Sequence, residues 1–186
     1  MAGSGRRGSS LRRAVLRLGS LSWLLTALLV VDAGATPHAA AASTLQGFGA
    51  LQRDTIPAIA SHRGAALLAP ENTLAGIEAA IRSEADFVEI DLRRTKDGRV
   101  ILFHDPTLDR TTNGMGRVRD YTLAQFRSMD AGGWFDPAFA GERVPVFEEA
   151  VALLDPAPIS VLIELKDDWN NEQLAPVIDD LRQRQM

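Results

Sequence analysis

The chain has 186 residues, of which 46% are hydrophobic and 24% charged; this balance is typical of one folded domain and excludes a disordered polypeptide. The first 42 residues contain five arginines and one aspartate, so the remainder has fifteen basic and twenty-three acidic residues, a net charge of −8. So acidic a body excludes nucleic acid as the expected partner, and the absence of cysteine excludes disulfides and thiolate metal sites.

Residues 1–42 have the pattern of a secretory signal peptide. An arginine-rich stretch precedes the apolar run 21–31, and an alanine-rich segment follows with small residues suited to cleavage. The apolar run is shorter than the roughly 20 residues of a membrane-spanning helix, and Arg12 and Arg13 favour the twin-arginine export route. We therefore predict export to the periplasm or the extracellular space, with no stable membrane anchor after cleavage. An uncleaved membrane anchor is the alternative.

Strands and helices alternate after a predicted linker at residues 43–55. An apolar run at 56–61 predicts a buried strand. Asn72 is a suitable N-cap, and apolar residues recur at helical spacing from there to residue 83, which predicts a helix.

The remaining elements continue this alternation through the predicted domain, residues 56–186. They are a second strand at 86–92, a turn at 96–98, a third strand at 99–104, a short capped helix from 122, a helix at 147–154, a fourth strand at 159–165 and a final helix at 172–184. Residues 105–145 form a long irregular stretch after the third strand. Apolar strands that alternate with helices predict an α/β fold with a parallel sheet covered by helices.

Every side chain with catalytic potential lies at the carboxyl end of a predicted strand. Ligands of parallel α/β folds bind at this edge of the sheet, so we expect the side chains to form one site. They are His62 and Arg63 after the first strand, Glu89 and Asp91 on the second, His104 after the third, and Glu164 and Lys166 at the end of the fourth.

The three carboxylates predict a metal site. Residues two apart on a strand share a face, so Glu89 and Asp91 point the same way. Converging carboxylates repel one another unless a cation lies between them, and an all-oxygen ligand set suits Ca²⁺ or Mg²⁺. The alternatives are a solvated edge strand, or carboxylates paired with nearby basic side chains: Arg63, Arg93, Arg94 or Lys166.

Two histidines remain outside the predicted signal peptide, and both lie at strand ends. Imidazole gains or loses a proton near neutral pH, so His62 and His104 are a candidate acid and base pair. Arg63 adds a planar, permanently charged fork that suits a phosphate, although a salt bridge to one of the acids is the alternative.

Six short motifs, taken in order, closely resemble the glycerophosphodiester phosphodiesterase family. The match runs from about residue 59 to residue 166. The motifs are His62-Arg63-Gly64, Pro70-Glu71-Asn72-Thr73, Glu89-Ile90-Asp91, His104-Asp105, Asp109-Arg110-Thr111-Thr112-Asn113-Gly114 and Glu164-Leu165-Lys166.

The resemblance implies a (β/α)8 barrel enzyme that cleaves glycerophosphodiesters, such as glycerophosphocholine, into sn-glycerol 3-phosphate and an alcohol. The implied ligands of a divalent cation, Ca²⁺ or Mg²⁺, are Glu89, Asp91 and Glu164. The implied acid and base are His62 and His104, and the implied phosphate contacts are Arg63 and Lys166. The implied insertion of the barrel corresponds to residues 105–145.

A complete barrel has eight strands and typically about 250 residues, whereas four strands are predicted here. We therefore expect the first half of a barrel, truncated after its fourth strand and helix, with unpaired edges on the first and fourth strands. Two other classes remain open: a related barrel enzyme, such as a sphingomyelinase D or a phosphatidylinositol phospholipase C, and a non-catalytic fragment. The motifs at 70–73 and 104–112 favour the glycerophosphodiester assignment over the first of these.

Overall fold

The computed structural model describes residues 27–32 and 57–186 of the chain. Its strands are β1 (Ala27–Asp32), β2 (Ala60–Ser61), β3 (Phe87–Arg94), β4 (Val100–Leu102) and β5 (Ser160–Leu165). Its α-helices are α1 (Leu74–Arg82), α2 (Leu123–Phe126), α3 (Phe147–Leu154) and α4 (Asn171–Arg184), with short 3₁₀ turns at Val118–Asp120 and Pro137–Phe139. Apart from β1, the predicted signal peptide and linker lie outside the described residues.

Strand β3 is the centre of the sheet. It pairs in parallel with β2 on one side and with β5 on the other, and α1 and α3 join these strands in sequence. Its helix-facing residues Val88, Ile90 and Leu92 are completely buried, as the period-two pattern predicted. The predicted parallel sheet covered by helices is therefore confirmed.

The prediction that residues 99–104 form a further parallel strand is wrong. Strand β4 runs antiparallel to β3, with Leu102 opposite Leu92 and Val100 opposite Arg94. The tight turn at Gly98 (φ +77°) returns the chain directly alongside β3, whereas a parallel connection requires a long crossover. The described residues consequently contain three parallel strands and not four. The insertion, residues 95–146 in the structure, follows the second of them.

The outer edge of β5 is paired, contrary to expectation. Strand β1 runs antiparallel to β5 over its whole length, from Ala27 opposite Leu165 to Asp32 opposite Ser160. This pairing satisfies backbone groups that would otherwise form an open sheet edge. Among the described residues, no helix has both the length and the apolar character that crossing a membrane requires.

The buried side chains form two clusters. The larger lies between the sheet and the helices and includes Ile77, Ile90 and Ile163. The smaller belongs to the insertion, with Phe126 packed edge-on against Phe103 and Tyr121. The insertion therefore has a hydrophobic core of its own rather than being a loose loop. We call this second cluster the insertion core: Ile101, Phe103, Leu108, Val118, Phe126, Ala131, Val144 and Val146.

Candidate active site

Backbone pairing brings the three predicted carboxylates together. Asp91 on β3 lies directly opposite Glu164 on β5, and in a parallel sheet paired residues project to the same side. Glu89, two residues earlier, shares that side. One carboxylate oxygen from each of the three lies within 4.8 Å of the others. The convergence that the sequence predicted is therefore present in the structure.

These carboxylates are poorly solvated. Asp91 and Glu89 are both buried, and Glu89 Oε1 has no hydrogen-bond partner among the described residues. Burial raises the pKa of Glu89 to about 7, and the negative charges of Asp91 and Glu164 add to this. A buried, unpartnered carboxylate oxygen beside two more carboxylates is a donor set that fits a hard divalent cation.

The Lys166 ammonium group provides part of the missing positive charge. Its Nζ lies 3.0 Å from Asp91 Oδ1 and also contacts Glu164 Oε1. Burial disfavours its charged form, but the two carboxylates outweigh burial and raise the pKa of Lys166. The alternative of carboxylates paired with basic residues is thus partly correct, and such pairing coexists with the candidate cation site.

The other two basic candidates point elsewhere. Arg93 Nη1 donates to Asp167 Oδ1 at 2.5 Å. The Arg94 guanidinium lies 5.1 Å from the centre of the Trp169 ring, in a cation–π contact. Neither arginine therefore neutralises the three carboxylates.

The loop after β2 carries His62 and Arg63 to the same edge. Ser61 is paired with Val88, so the next residue lies level with Glu89. His62 Nε2 is 3.9 Å from Glu89 Oε2, and the backbone N–H of Arg63 donates to that same oxygen at 2.7 Å. The turn depends on Gly64 (φ +78°), where a Cβ atom would lie 2.9 Å from the backbone of α1. This loop is therefore fixed tightly against the carboxylates.

His104 belongs to the insertion, where it follows β4. Its carbonyl accepts a hydrogen bond from Arg93 Nε at 2.8 Å, which fixes its backbone. Its ring Nδ1 lies 2.6 Å from Asp105 Oδ1, so Asp105 contacts the ring through Nδ1 and not through Nε2. His62, by comparison, is 69% exposed and His104 only 28%.

Asn72 has a role that the sequence analysis missed. It is not the N-cap of α1, because the hydroxyl of Thr73 accepts the capping hydrogen bond from Gly76 N–H at 3.1 Å. Asn72 Nδ2 instead donates to Asp91 Oδ2 at 2.7 Å, and Asn72 Oδ1 accepts from the Asp91 N–H at 3.0 Å. Its left-handed backbone (φ +54°) turns the side chain inward. The sequence did offer a signal for this role: Thr73, directly after Asn72, is also a suitable N-cap, which leaves Asn72 free for another contact.

The sequence model of the glycerophosphoryl diester phosphodiesterase family matches residues 62–181. This chain belongs to that family. A glycerophosphodiester phosphodiesterase from Bacillus subtilis strain 168 is 40% identical over 154 residues, which cover 78% of this chain and 47% of the relative. The chain spans about half the length of the curated relatives it matches.

Two solved structures have a similar fold. A glycerophosphodiester phosphodiesterase from Agrobacterium tumefaciens strain C58 gives a TM-score of 0.62 at 40% identity, over 70% of this chain and 55% of that protein. An Oleispira antarctica phosphodiesterase, solved in complex with the product sn-glycerol-3-phosphate, gives 0.63 at 34% identity, over 69% and 53%. The predicted partial (β/α)8 barrel is therefore confirmed.

Proposed function

We propose that this protein hydrolyses glycerophosphodiesters to sn-glycerol 3-phosphate and an alcohol, with a divalent cation bound at the strand edge. The observation that carries the proposal is the meeting of Glu89, Asp91 and Glu164 within 4.8 Å, at the edge where His62 and Lys166 also lie. Family membership supports the substrate class. Phosphodiester cleavage builds negative charge on phosphoryl oxygens. The basic side chains Arg63 and Lys166 lie at this edge and can offset that charge.

Arg63 and Lys166 are proposed to hold the phosphate. Both are partly exposed, at 19% and 15%, and both already contact Asp91, by Arg63 Nε at 3.7 Å and Lys166 Nζ at 3.0 Å. The guanidinium offers a planar fork of donors and the ammonium group a compact charge, so the two can contact different phosphoryl oxygens.

His62 and His104 are proposed to move the protons. One imidazole takes the proton from the glycerol hydroxyl that attacks phosphorus, and the other donates a proton to the alcohol oxygen as its bond to phosphorus breaks. Water then opens the cyclic phosphate to give sn-glycerol 3-phosphate. His62 Nε2 lies 3.9 Å from Glu89 Oε2, and His104 Nδ1 lies 2.6 Å from Asp105 Oδ1, so each ring has a carboxylate that can orient it.

The cation is proposed to be Ca²⁺ or Mg²⁺, held by Glu89, Asp91 and Glu164. When bound, it supplies positive charge that offsets the charge developing on the phosphoryl oxygens. Asn72 donates one hydrogen bond to the Asp91 carboxylate and accepts another from the Asp91 backbone N–H, as expected for a residue that orients a metal ligand.

The decisive experiment measures sn-glycerol 3-phosphate released from glycerophosphocholine by the full protein with Ca²⁺ or Mg²⁺. We expect release that stops in excess chelator and that H62A and H104A each abolish, while both variants retain cation binding. Arg99, an exposed residue paired with Glu148, provides the matched control R99Q, which should keep wild-type turnover.

Three results would contradict the proposal. Turnover that persists in excess chelator would reject the cation, and wild-type rates in both histidine variants would reject the acid and base pair. Release of choline phosphate, or of ceramide phosphate from sphingomyelin in place of sn-glycerol 3-phosphate, would assign the chain to a different phosphodiesterase activity.

We also propose that the protein is exported. The arginine-rich N-terminus and the apolar run 21–31 support this proposal. The N-terminal sequence of the protein recovered from outside the cytoplasm is expected to begin close to residue 43. Cleavage there removes β1, so the pairing of β1 with β5 belongs to the uncleaved chain. An N-terminus still at Met1 would reject cleavage.

A further inference from the structure

A chain of side-chain hydrogen bonds connects His104 with Arg63 through Asp105, Arg110 and Glu71. His104 Nδ1 contacts Asp105 Oδ1 at 2.6 Å, and both Asp105 oxygens accept from Arg110, at 2.7 and 3.0 Å. Arg110 also donates to both oxygens of Glu71, each at 2.7 Å. Glu71 Oε1 accepts from Arg63 Nη1 at 3.0 Å. Arg110 is the central member of this chain.

We propose that Arg110 is a positioning residue that sets the ring of His104 through Asp105 and the guanidinium of Arg63 through Glu71. This inference rests on the proposed function, because it assigns a reason for holding these two groups together. Arg110 belongs to the insertion, whereas Glu71 and Arg63 belong to the loop between β2 and α1. The residue therefore joins the two separate parts of the chain that deliver the histidines.

The geometry of the guanidinium is what makes Arg110 suitable. Its Nε and Nη2 face Asp105, while its Nη1 and Nη2 face Glu71, so one planar group makes paired contacts to two carboxylates. A lysine ammonium group is a single point of charge and cannot form two such forks. Charges alternate along the chain, and no two groups of the same sign are direct partners.

Electrostatics support the same conclusion. The hydrogen bonds and charge of Arg110 lower the pKa of Asp105. Burial opposes ionisation of Glu71, but Arg110 and Arg63 outweigh burial and lower its pKa as well. Both carboxylates thus remain charged acceptors at neutral pH. An ionised Asp105 next to Nδ1 favours the neutral tautomer of His104 with the proton on Nδ1, which leaves the Nε2 lone pair available as a base.

The test is the tautomer of His104, measured by the ¹⁵N chemical shifts of its ring in the full, metal-free protein at about pH 9, where free imidazole is neutral. A hydrogen bond to a charged group favours the Nδ1–H tautomer of the wild-type protein by about tenfold or more. In R110Q we expect the ratio to fall toward that of the exposed ring of His62. D105N should show the same fall, and R99Q should keep the wild-type ratio. An unchanged ratio in R110Q would overturn the proposal.

Two further variants separate positioning from general loss of structure. R110K keeps the charge but loses the forks, so it should behave like R110Q; a wild-type ratio in R110K would reject the geometric argument, even if R110Q does not fold. E71Q should alter the ¹⁵N and ¹H signals of the Arg63 guanidinium while leaving the His104 ratio near wild type, since Asp105 keeps its own fork. If E71Q lowers the His104 tautomer ratio as much as R110Q does, Glu71 rather than Arg110 positions the ring, and the proposed role of Arg110 is wrong.

These measurements need no metal, substrate or turnover. A protein that fails to hydrolyse glycerophosphocholine but shows the expected tautomer pattern rejects the proposed function and retains the network. If the wild-type protein hydrolyses glycerophosphocholine but the tautomer ratio is unchanged in R110Q and R110K, the proposed function is retained and the positioning role of Arg110 is rejected.

Discussion

Glu89, Asp91 and Glu164 are held by the backbone pairing of β3 with β5, whereas His104 is held by side-chain hydrogen bonds within and beyond the insertion. The strand edge is buried and continuous with the larger core. The insertion has its own core and meets the loop after β2 partly through exposed charged groups. In the proposed mechanism, cation binding therefore depends on the sheet, while proton transfer also depends on how well the insertion is fixed.

The largest effect is expected from emptying the insertion core. Phe126→Ala removes a completely buried ring, which should lower the free energy of unfolding by about 3–5 kcal/mol. Because the two cores are separate clusters, hydrogen exchange should show lost protection in residues 101–146 and little change in β3 and β5. The matched change in the larger core, Ile163→Ala, should expose both regions together. Equal loss of protection throughout the chain in Phe126→Ala would mean that the two cores unfold as one unit.

Removing the charge of two strand carboxylates should next remove the cation. We expect the E89Q/D91N double variant to bind Ca²⁺ more than about 100-fold more weakly than the wild-type protein, as judged by titration calorimetry, because it loses two of three candidate ligands. E148Q, which alters an exposed carboxylate paired with Arg99, is the control. Wild-type Ca²⁺ affinity in E89Q/D91N would exclude the strand edge as the binding site.

A smaller change in cation affinity is expected at Asn72, which orients Asp91 without being a candidate ligand. Asn72→Gly keeps the left-handed backbone available but removes both hydrogen bonds, so Ca²⁺ affinity should fall by about 10–100-fold. Asn72→Ala removes the same hydrogen bonds and adds backbone strain, so it should also lower stability relative to Asn72→Gly. If both variants bind Ca²⁺ as wild type does, Asp91 needs no such support.

The smallest effect is the contribution of the Arg110 network to acid stability. Its hydrogen bonds lower the pKa of Asp105 in the folded protein, so the stabilisation is complete above the ordinary pKa of aspartate, about 4, and is lost as the pH falls below it. Since Arg110 is nearly half exposed, the whole effect should be no more than about 1 kcal/mol.

Urea unfolding at several pH values measures this effect. D105N should be less stable than the wild-type protein at pH 6, and the difference should shrink toward pH 2. A difference that stays constant over this range would show that the ionisation of Asp105 does not contribute.

The sequence predicted the convergence of the strand-edge carboxylates because the relevant rules are local. Period-two alternation places Glu89 and Asp91 on one face, and parallel strands collect their carboxyl ends at one edge. The same local rules failed for β4, since an apolar run indicates a strand but not its direction. The short turn at residues 96–98 is evident in the sequence. A turn this short permits only an antiparallel return, and the sequence prediction did not include that consequence.

Local sequence patterns were sufficient to predict the α/β class, the helices α1, α3 and α4, and the convergence of the three carboxylates, and the motifs were sufficient to predict the family. Three contacts became apparent only in the folded structure: Asn72 contacts Asp91 rather than capping α1, β1 covers the edge of β5, and Arg110 connects two loops. These contacts join residues that lie from 19 to more than 100 positions apart in the chain. Local propensity cannot specify such contacts, because their free energy exists only once distant segments have packed together.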